Sequence, residues 1–305
     1  MKVIKMLCLT QSRQFEIGLK NIFDQIPFLE VTVINRNDPE WKGSIIKQFR
    51  LLKKHDILYC FFAQTKIYYL LFYKAANLKI INHYIGSDLY KTIKHYRFWK
   101  YLPVVNKLSH SICVSSLLAN ELNDYGISAK ILPFTNLNLQ KRPIVYPDQK
   151  TAIVYLPDSY REFYNYKLIT GLVTAFPDVN FIFFPSTLSL DNLPANIKTV
   201  KFVPRENMFQ FLSSCRVFIR LPLHDGLPNT LLEALSIGRW CIWNFDFPYT
   251  VKSSSLEDLI CKFDLLINKS DINQKAIDHI INNYSFSNIT QRYTNYFNNY
   301  VTDNF

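Results

Sequence analysis

Apolar positions along the chain gather into short β-rich runs, set apart by longer stretches whose apolar residues recur on a helical period. In the first half the runs are VIKMLCL (3–9), LEVTVIN (29–35), ILYCFFA (57–63), KIINHYI (79–85) and SICVS (111–115). After the polar, proline-bearing stretch NLNLQKRPIVYPDQK (136–150), the best linker candidate, the rhythm restarts with TAIVYLP (151–157), VNFIFFP (179–185), IKTVKFV (197–203), RVFIRL (216–221) and WCIWNF (240–245). Strands that are apolar almost throughout and alternate with helices predict parallel sheets covered on both faces. The pattern therefore predicts an α/β chain of two doubly wound, Rossmann-like domains, 1–140 and 151–284, facing a central cleft. Ligands in such sheets sit beyond the carboxyl ends of the strands.

Composition fits that reading. With 305 residues, 49% of them hydrophobic, the chain can build two ordinary cores. Six cysteines stand scattered in mostly apolar runs, without metal-ligand or disulfide-framework spacing, which predicts a reduced, cytoplasmic setting. No apolar run reaches the length of a spanning helix, and the start, MKVIKMLCLTQ, is too short in apolar residues for a signal peptide.

Charge adds an asymmetry. Up to residue 140 there are 19 Lys and Arg against 9 Asp and Glu, and beyond it 16 against 15, so ten of the eleven excess positive charges lie in the first half. The stretch YKTIKHYRFWKYLPVVNK (90–107) carries Lys91, Lys94, Arg97, Lys100 and Lys107 among aromatics that include Trp99, and no acid. Cations and aromatics interleaved on a helix suit an anionic membrane surface. No nucleic-acid-binding motif accompanies them, so no nucleic-acid partner is expected.

The most informative segment is RVFIRLPLHDGLPNTLLEALSIG (216–238). It predicts a strand, a loop at the strand's carboxyl end, and a helix opened near Pro228 and stopped by Gly238. Backbone amides around Asn229, Thr230 and Leu231, with the helix dipole behind them, can hold a phosphate. Glu233, inside the helix, can accept hydrogen bonds from a ribose diol, and Asp225, before the turn, can reach hydroxyls beyond the phosphates. Two acids flanking an anion site suit a sugar nucleotide. The plainer alternative makes Asp225 a helix cap and Glu233 a surface residue.

Residues 197–238 resemble the donor site of family-4-type glycosyltransferases of the GT-B fold, where two glutamates with seven residues between them flank a Gly-Leu-Pro-Asn-type loop; here the first acid is Asp225. The resemblance implies that Glu233 binds the ribose of a UDP- or GDP-type donor and Asp225 its sugar. The backbone of Gly226, Leu227, Pro228, Asn229, Thr230 and Leu231 would take the diphosphate. It also implies that Arg161 and Lys167, in IVYLPDSYREFYNYKLITG, neutralise the leaving diphosphate, with Arg161 about one position early. In INHYIGSDLYK (81–91), His83 would meet the donor sugar and Asp88 an acceptor hydroxyl. The tail 285–305 resembles the family's closing helix, which returns to the first domain.

The same resemblance implies a retaining transfer. With no Asp-X-Asp triplet in the sequence, that transfer is expected to need neither metal nor other cofactor. The acceptor is expected to be a glycan or lipid-linked molecule in surface polysaccharide or lipopolysaccharide synthesis, and the enzyme to lie on the inner face of the membrane. The competing readings are a non-catalytic binding subunit and another enzyme of the same fold, such as a sugar-nucleotide epimerase.

Overall fold

A computed structural model describes every residue except 1, 2, 95–97, 138, 141, 188–193 and 254. The chain divides into two compact units, one of Met1–Asn136 with Phe286–Phe305 and one of Leu137–Ser285. In the first, β1 (Ile4–Thr10), β2 (Leu29–Asn35), β3 (Ile57–Phe61), β4 (Lys79–Tyr84), β5 (His110–Cys113) and β6 (Lys130–Ile131) form a parallel sheet in the order β2-β1-β3-β4-β5-β6. β1 pairs with β2 along its whole length, from Ile4 opposite Leu29 to Thr10 opposite Asn35. Its other edge takes β3, from Met6 opposite Ile57 to Leu9 opposite Cys60. The strand order reverses there, which opens a crevice at the carboxyl ends of β1 and β3.

The second unit holds β7 (Thr151–Tyr155), β8 (Asn180–Phe184), β9 (Ile197–Thr199), β10 (Val217–Arg220), β11 (Trp240–Trp243) and β12 (Thr250–Val251), again all parallel, ordered β12-β11-β10-β7-β8-β9. The reversal falls between β7 and β10.

Apolar strands bury both faces. Successive residues, which point to opposite faces, are fully buried: Leu7 and Cys8, Tyr59 and Cys60 in the first unit, Ile153 and Val154, Phe218 and Ile219 in the second. The first unit is closed by the helix Phe286–Asn304, whose Phe297 packs on Phe23 and Tyr59 at centroid distances of 5.8 and 6.0 Å, while Tyr293 meets Phe23 at 5.9 Å. Cys8, Cys60, Cys113, Cys215 and Cys241 are buried free thiols, and Cys261 is exposed.

The polar stretch expected to link the halves belongs to the second unit from Leu137 onward. Leu137 and Leu139 are buried in that unit's core. Arg216 Nε donates to the Pro147 carbonyl at 2.9 Å, and Arg239 Nη2 to that of Val145 at 2.9 Å. The ring of Tyr146 receives both guanidinium groups, at 5.3 and 5.8 Å. Alternate apolar residues and two cations thus strap the stretch down.

Candidate active site

β10 ends on Arg220, a charge buried at the tip of an apolar strand, and a buried guanidinium needs a partner. It finds one five residues on, where Arg220 Nε donates to Asp225 Oδ2 at 2.7 Å. The guanidinium also lies over the rings of Tyr155 and Tyr164, at 4.2 and 5.3 Å. Burial works against this charge, but the Asp225 carboxylate outweighs it and holds Arg220 protonated beyond its ordinary range. Asp225 Oδ1 accepts the Gly226 N–H at 3.0 Å. The acid is fixed within the loop and does not cap the helix behind it. Its side chain keeps 13% of its surface, and a carboxylate has roughly four acceptor positions, so room for a hydroxyl remains.

The same loop is tied to the other side of the switch point. Asn165 stands in the left-handed region at φ 54°, and its Nδ2 donates to the Leu221 carbonyl at 2.8 Å; the Leu223 N–H donates to the Phe163 carbonyl at 2.7 Å. Asn165 also ends a pair of tight turns, Asp158–Tyr160 and Glu162–Tyr164, and starts the helix Tyr166–Ala175. Arg161 lies between those turns, not on the helix. Its guanidinium is 5.8 Å from the Tyr166 ring, and its Nε is buried without a hydrogen-bond partner. Lys167 is exposed in the first turn of the helix. A cation at the positive end of a helix is electrostatically misplaced until an anion joins it.

The helix Asn229–Ser236 follows Pro228 with no side-chain cap. The N–H groups of Leu231 and Leu232 donate to the Pro228 carbonyl at 3.1 and 3.3 Å. Leu231, expected among the phosphate-facing amides, therefore spends its N–H within the helix, because the first turn tightens around the proline carbonyl. Gly226 and Pro228 are buried, while Leu227, Asn229 and Thr230 are partly exposed.

Glu233 is fully buried, which rules out a surface role. Arg205 Nη1 donates to its Oε2 at 3.1 Å, and Nη2 stands 2.7 Å from Oε1 but outside hydrogen-bond geometry. Burial pushes the Glu233 carboxyl up to about 7, against the pull of Arg205.

Two expectations in the first unit are corrected. His83 has no exposed surface: it sits in β4 among aromatic rings, 5.2 Å from Phe61 and 5.8 Å from Tyr59, hydrogen-bonded through Nδ1 to the Tyr59 hydroxyl. Burial lowers its pKa to about 3, so it is a neutral residue packed in the aromatic core, not one presented on a loop. Asp88 is not poised for an acceptor either. Its Oδ2 accepts the Ala63 N–H at 2.7 Å, and its Oδ1 accepts those of Ile85, Gly86 and Leu89 at 2.9 to 3.1 Å. The carboxylate is a clip that joins the ends of β3 and β4.

The basic stretch is not one helix. Ser87–Lys94 is helical, Phe98–Tyr101 is a tight turn and Leu102–Leu108 a second helix, since Pro103 suits only a first turn. Lys91, Lys94 and Lys100 are exposed, while Arg97 and the side chain of Trp99 lie outside the described residues. Sequence reasoning missed Arg220 and Arg205. The first leaves a trace, a charge closing an apolar strand five residues before an acid; the second leaves none.

No protein-family profile and no curated protein matches the sequence. Solved structures do. HepE of Anabaena, in complex with UDP-glucose, superposes with a TM-score of 0.71 at 13% identity, covering 97% of this chain and 100% of that one. The lipopolysaccharide outer core galactosyltransferase WaaB gives 0.64 at 13%, covering 96% and 98%. TarM of S. aureus, in complex with UDP and α-GlcNAc-glycerol, gives 0.59 at 12%, covering 79% and 55%. The fold is GT-B. Within this GT-B chain, Asp225, Arg220 and the start of the helix Asn229–Ser236 all leave the carboxyl end of β10, at the reversal of the second sheet.

Proposed function

We propose that this GT-B protein is a family-4-type glycosyltransferase. It moves a hexosyl group from a UDP- or GDP-type sugar nucleotide to a glycan or lipid-linked acceptor in surface polysaccharide or lipopolysaccharide synthesis. The observation that carries the reading is the pair of carboxylates, Asp225 and Glu233, set on either side of a helix start at the switch point of the second sheet and each tied to an arginine. The neighbours in complex with UDP or UDP-glucose support a nucleotide donor by analogy of fold.

In this reading the diphosphate meets the positive end of the helix Asn229–Ser236, with Lys167 and Arg161 supplying the neutralising charge. Glu233 accepts from the ribose while sharing its carboxylate with Arg205, and Asp225 accepts from the donor sugar while Arg220 fixes its orientation. As the glycosidic bond to the phosphate breaks, charge develops on the departing oxygen. That oxygen takes the acceptor's proton from the same face, and the new bond forms with retention. The protein acts at the edge of an anionic membrane, on its cytoplasmic side. Metal independence is read from the missing Asp-X-Asp triplet and from the two cations.

The test is turnover of UDP- and GDP-hexoses, followed by nucleotide release. Lys167→Ala should lower it by about 100-fold or more, the scale for one preorganised charge stabiliser, and EDTA should leave it unchanged. Failure to bind any nucleotide sugar in calorimetry would overturn the reading, and activity lost to EDTA and restored by Mn²⁺ would overturn its metal-free form.

A further inference from the structure

The crevice at the strand reversal of the first unit is a built site to which the reaction above assigns no residue. A cavity of about 290 Å³ opens there, and Arg36, Lys66 and Lys91 line it with Gln11, Thr65 and Asp88. Arg36 follows β2 and reaches across to donate from Nη2 to the Phe62 carbonyl at 3.0 Å, while its Nε is buried without a partner. Phe62 holds a φ of 71°, a conformation that costs a bulky side chain and collects at ligand sites. That turn is what aims the Phe62 carbonyl at Arg36 and the Ala63 N–H at Asp88. Asp88 does not spoil the site for an anion, because backbone amides already occupy its oxygens and burial raises its pKa. Three cations around one small cavity match an anion with several oxygens.

A second cavity, about 270 Å³, adjoins the first and shares Thr65 and Lys66 with it; the rest of its lining is Ile67, Tyr68 and Tyr101. Here the surface is apolar. Tyr68, on the helix Ile67–Ala75, and Tyr101, just before the helix Leu102–Leu108, are 60% and 52% exposed. Exposed apolar side chains gathered in one patch mark a binding surface. A free phosphate would leave this half of the site unused, and a hydrocarbon alone would leave the cations unused.

We propose that the first unit binds a phospholipid-type amphiphile here, with its phosphoryl group between Arg36, Lys66 and Lys91 and its hydrocarbon along Ile67, Tyr68 and Tyr101. Binding does not depend on sugar transfer; only the identification of such a lipid with the acceptor rests on that reading.

The experiment titrates the whole protein with dihexanoyl phosphatidic acid below its micelle concentration, beside inorganic phosphate and dihexanoyl phosphatidylcholine. Saturable binding is expected for phosphatidic acid, with phosphate and phosphatidylcholine weaker by about tenfold or more, since each supplies half of the interaction. Lys91→Gln and the pair Tyr68→Ser/Tyr101→Ser, all on the surface, should each weaken it, whereas Lys20→Gln/Lys47→Gln, which removes two exposed cations elsewhere in the unit, should not. Phosphate binding as tightly as phosphatidic acid, or equal losses in the Lys20/Lys47 control, would overturn the proposal. UDP affinity, read in parallel on every variant, reports separately on the donor site in the other unit.

Discussion

Glu233 combines two demands that conflict at the scale of one residue. Burial favours its neutral form, while Arg205 favours the carboxylate, and burial prevails to leave the pKa at about 7. An unfolded glutamate titrates at about 4.3, so the folded state holds the proton more tightly between these values. Stability from this group is complete below the unfolded pKa and is lost as pH rises through about 7. Urea melts from pH 4 to 8 should therefore show wild type losing stability relative to Glu233→Gln as pH rises. The loss is a few kcal/mol at most, given about 1.4 kcal/mol per tenfold change in proton affinity. Equal pH slopes for the two proteins would remove the buried-acid description. Nucleotide binding supplies the second readout, because a carboxylate that accepts from a ribose diol is worth about 1 to 3 kcal/mol, which Glu233→Ala should lose.

Among elements, Gly238 and Gly171 show how one residue type means different things in two places. Gly238 ends the helix Asn229–Ser236 at φ 67°, and a Cβ there would meet Ile272 and Ile277 at 3.0 Å. Gly238→Ala should cost about 1 to 3 kcal/mol in urea denaturation, the scale of an αL residue with side-chain crowding. Gly171 lies inside the helix Tyr166–Ala175, where a Cβ would stand 2.8 and 2.9 Å from the two methyls of Leu256, so that side chain must give way. Helix propensity favours alanine by about 1 kcal/mol there, so Gly171→Ala should be near neutral. The helix stop at Gly238 was readable because its signal is local. So were ten of the twelve strands among the described residues, each an apolar run bounded by polar residues. β6 and β12, two residues each, are too short to leave a pattern. The burial of His83 depends on rings brought in from β3, and one of the amides on Asp88 comes from the loop that follows it. At the proposed donor site the acids and their loop were legible, whereas the arginines that hold them were not, since Arg205 and Glu233 meet only when β9 and β10 join the same sheet.

Across the whole molecule, charge follows the division into units. Adding Phe286–Phe305 to the first unit brings one Arg292 and one Asp303, so its excess stays at ten and the second unit's at one. The cationic crevice thus lies in the unit that holds nearly all of the excess positive charge. The buried thiols make the two units separately observable. Cys8, Cys60 and Cys113 belong to the first and Cys215, Cys241 and Cys261 to the second, with Cys261 alone exposed. Burial holds the Cys113 and Cys215 thiols up to about 12, so they stay protonated and unreactive while folded. A brief pulse of iodoacetamide should mark only Cys261 in the native chain. In rising urea, peptide masses should report Cys215 and Cys241 as one clock and Cys8, Cys60 and Cys113 as another, so that the order in which the two halves open can be read from a single labelled sample; native labelling of Cys8 at the rate of Cys261 would contradict the packing of β1.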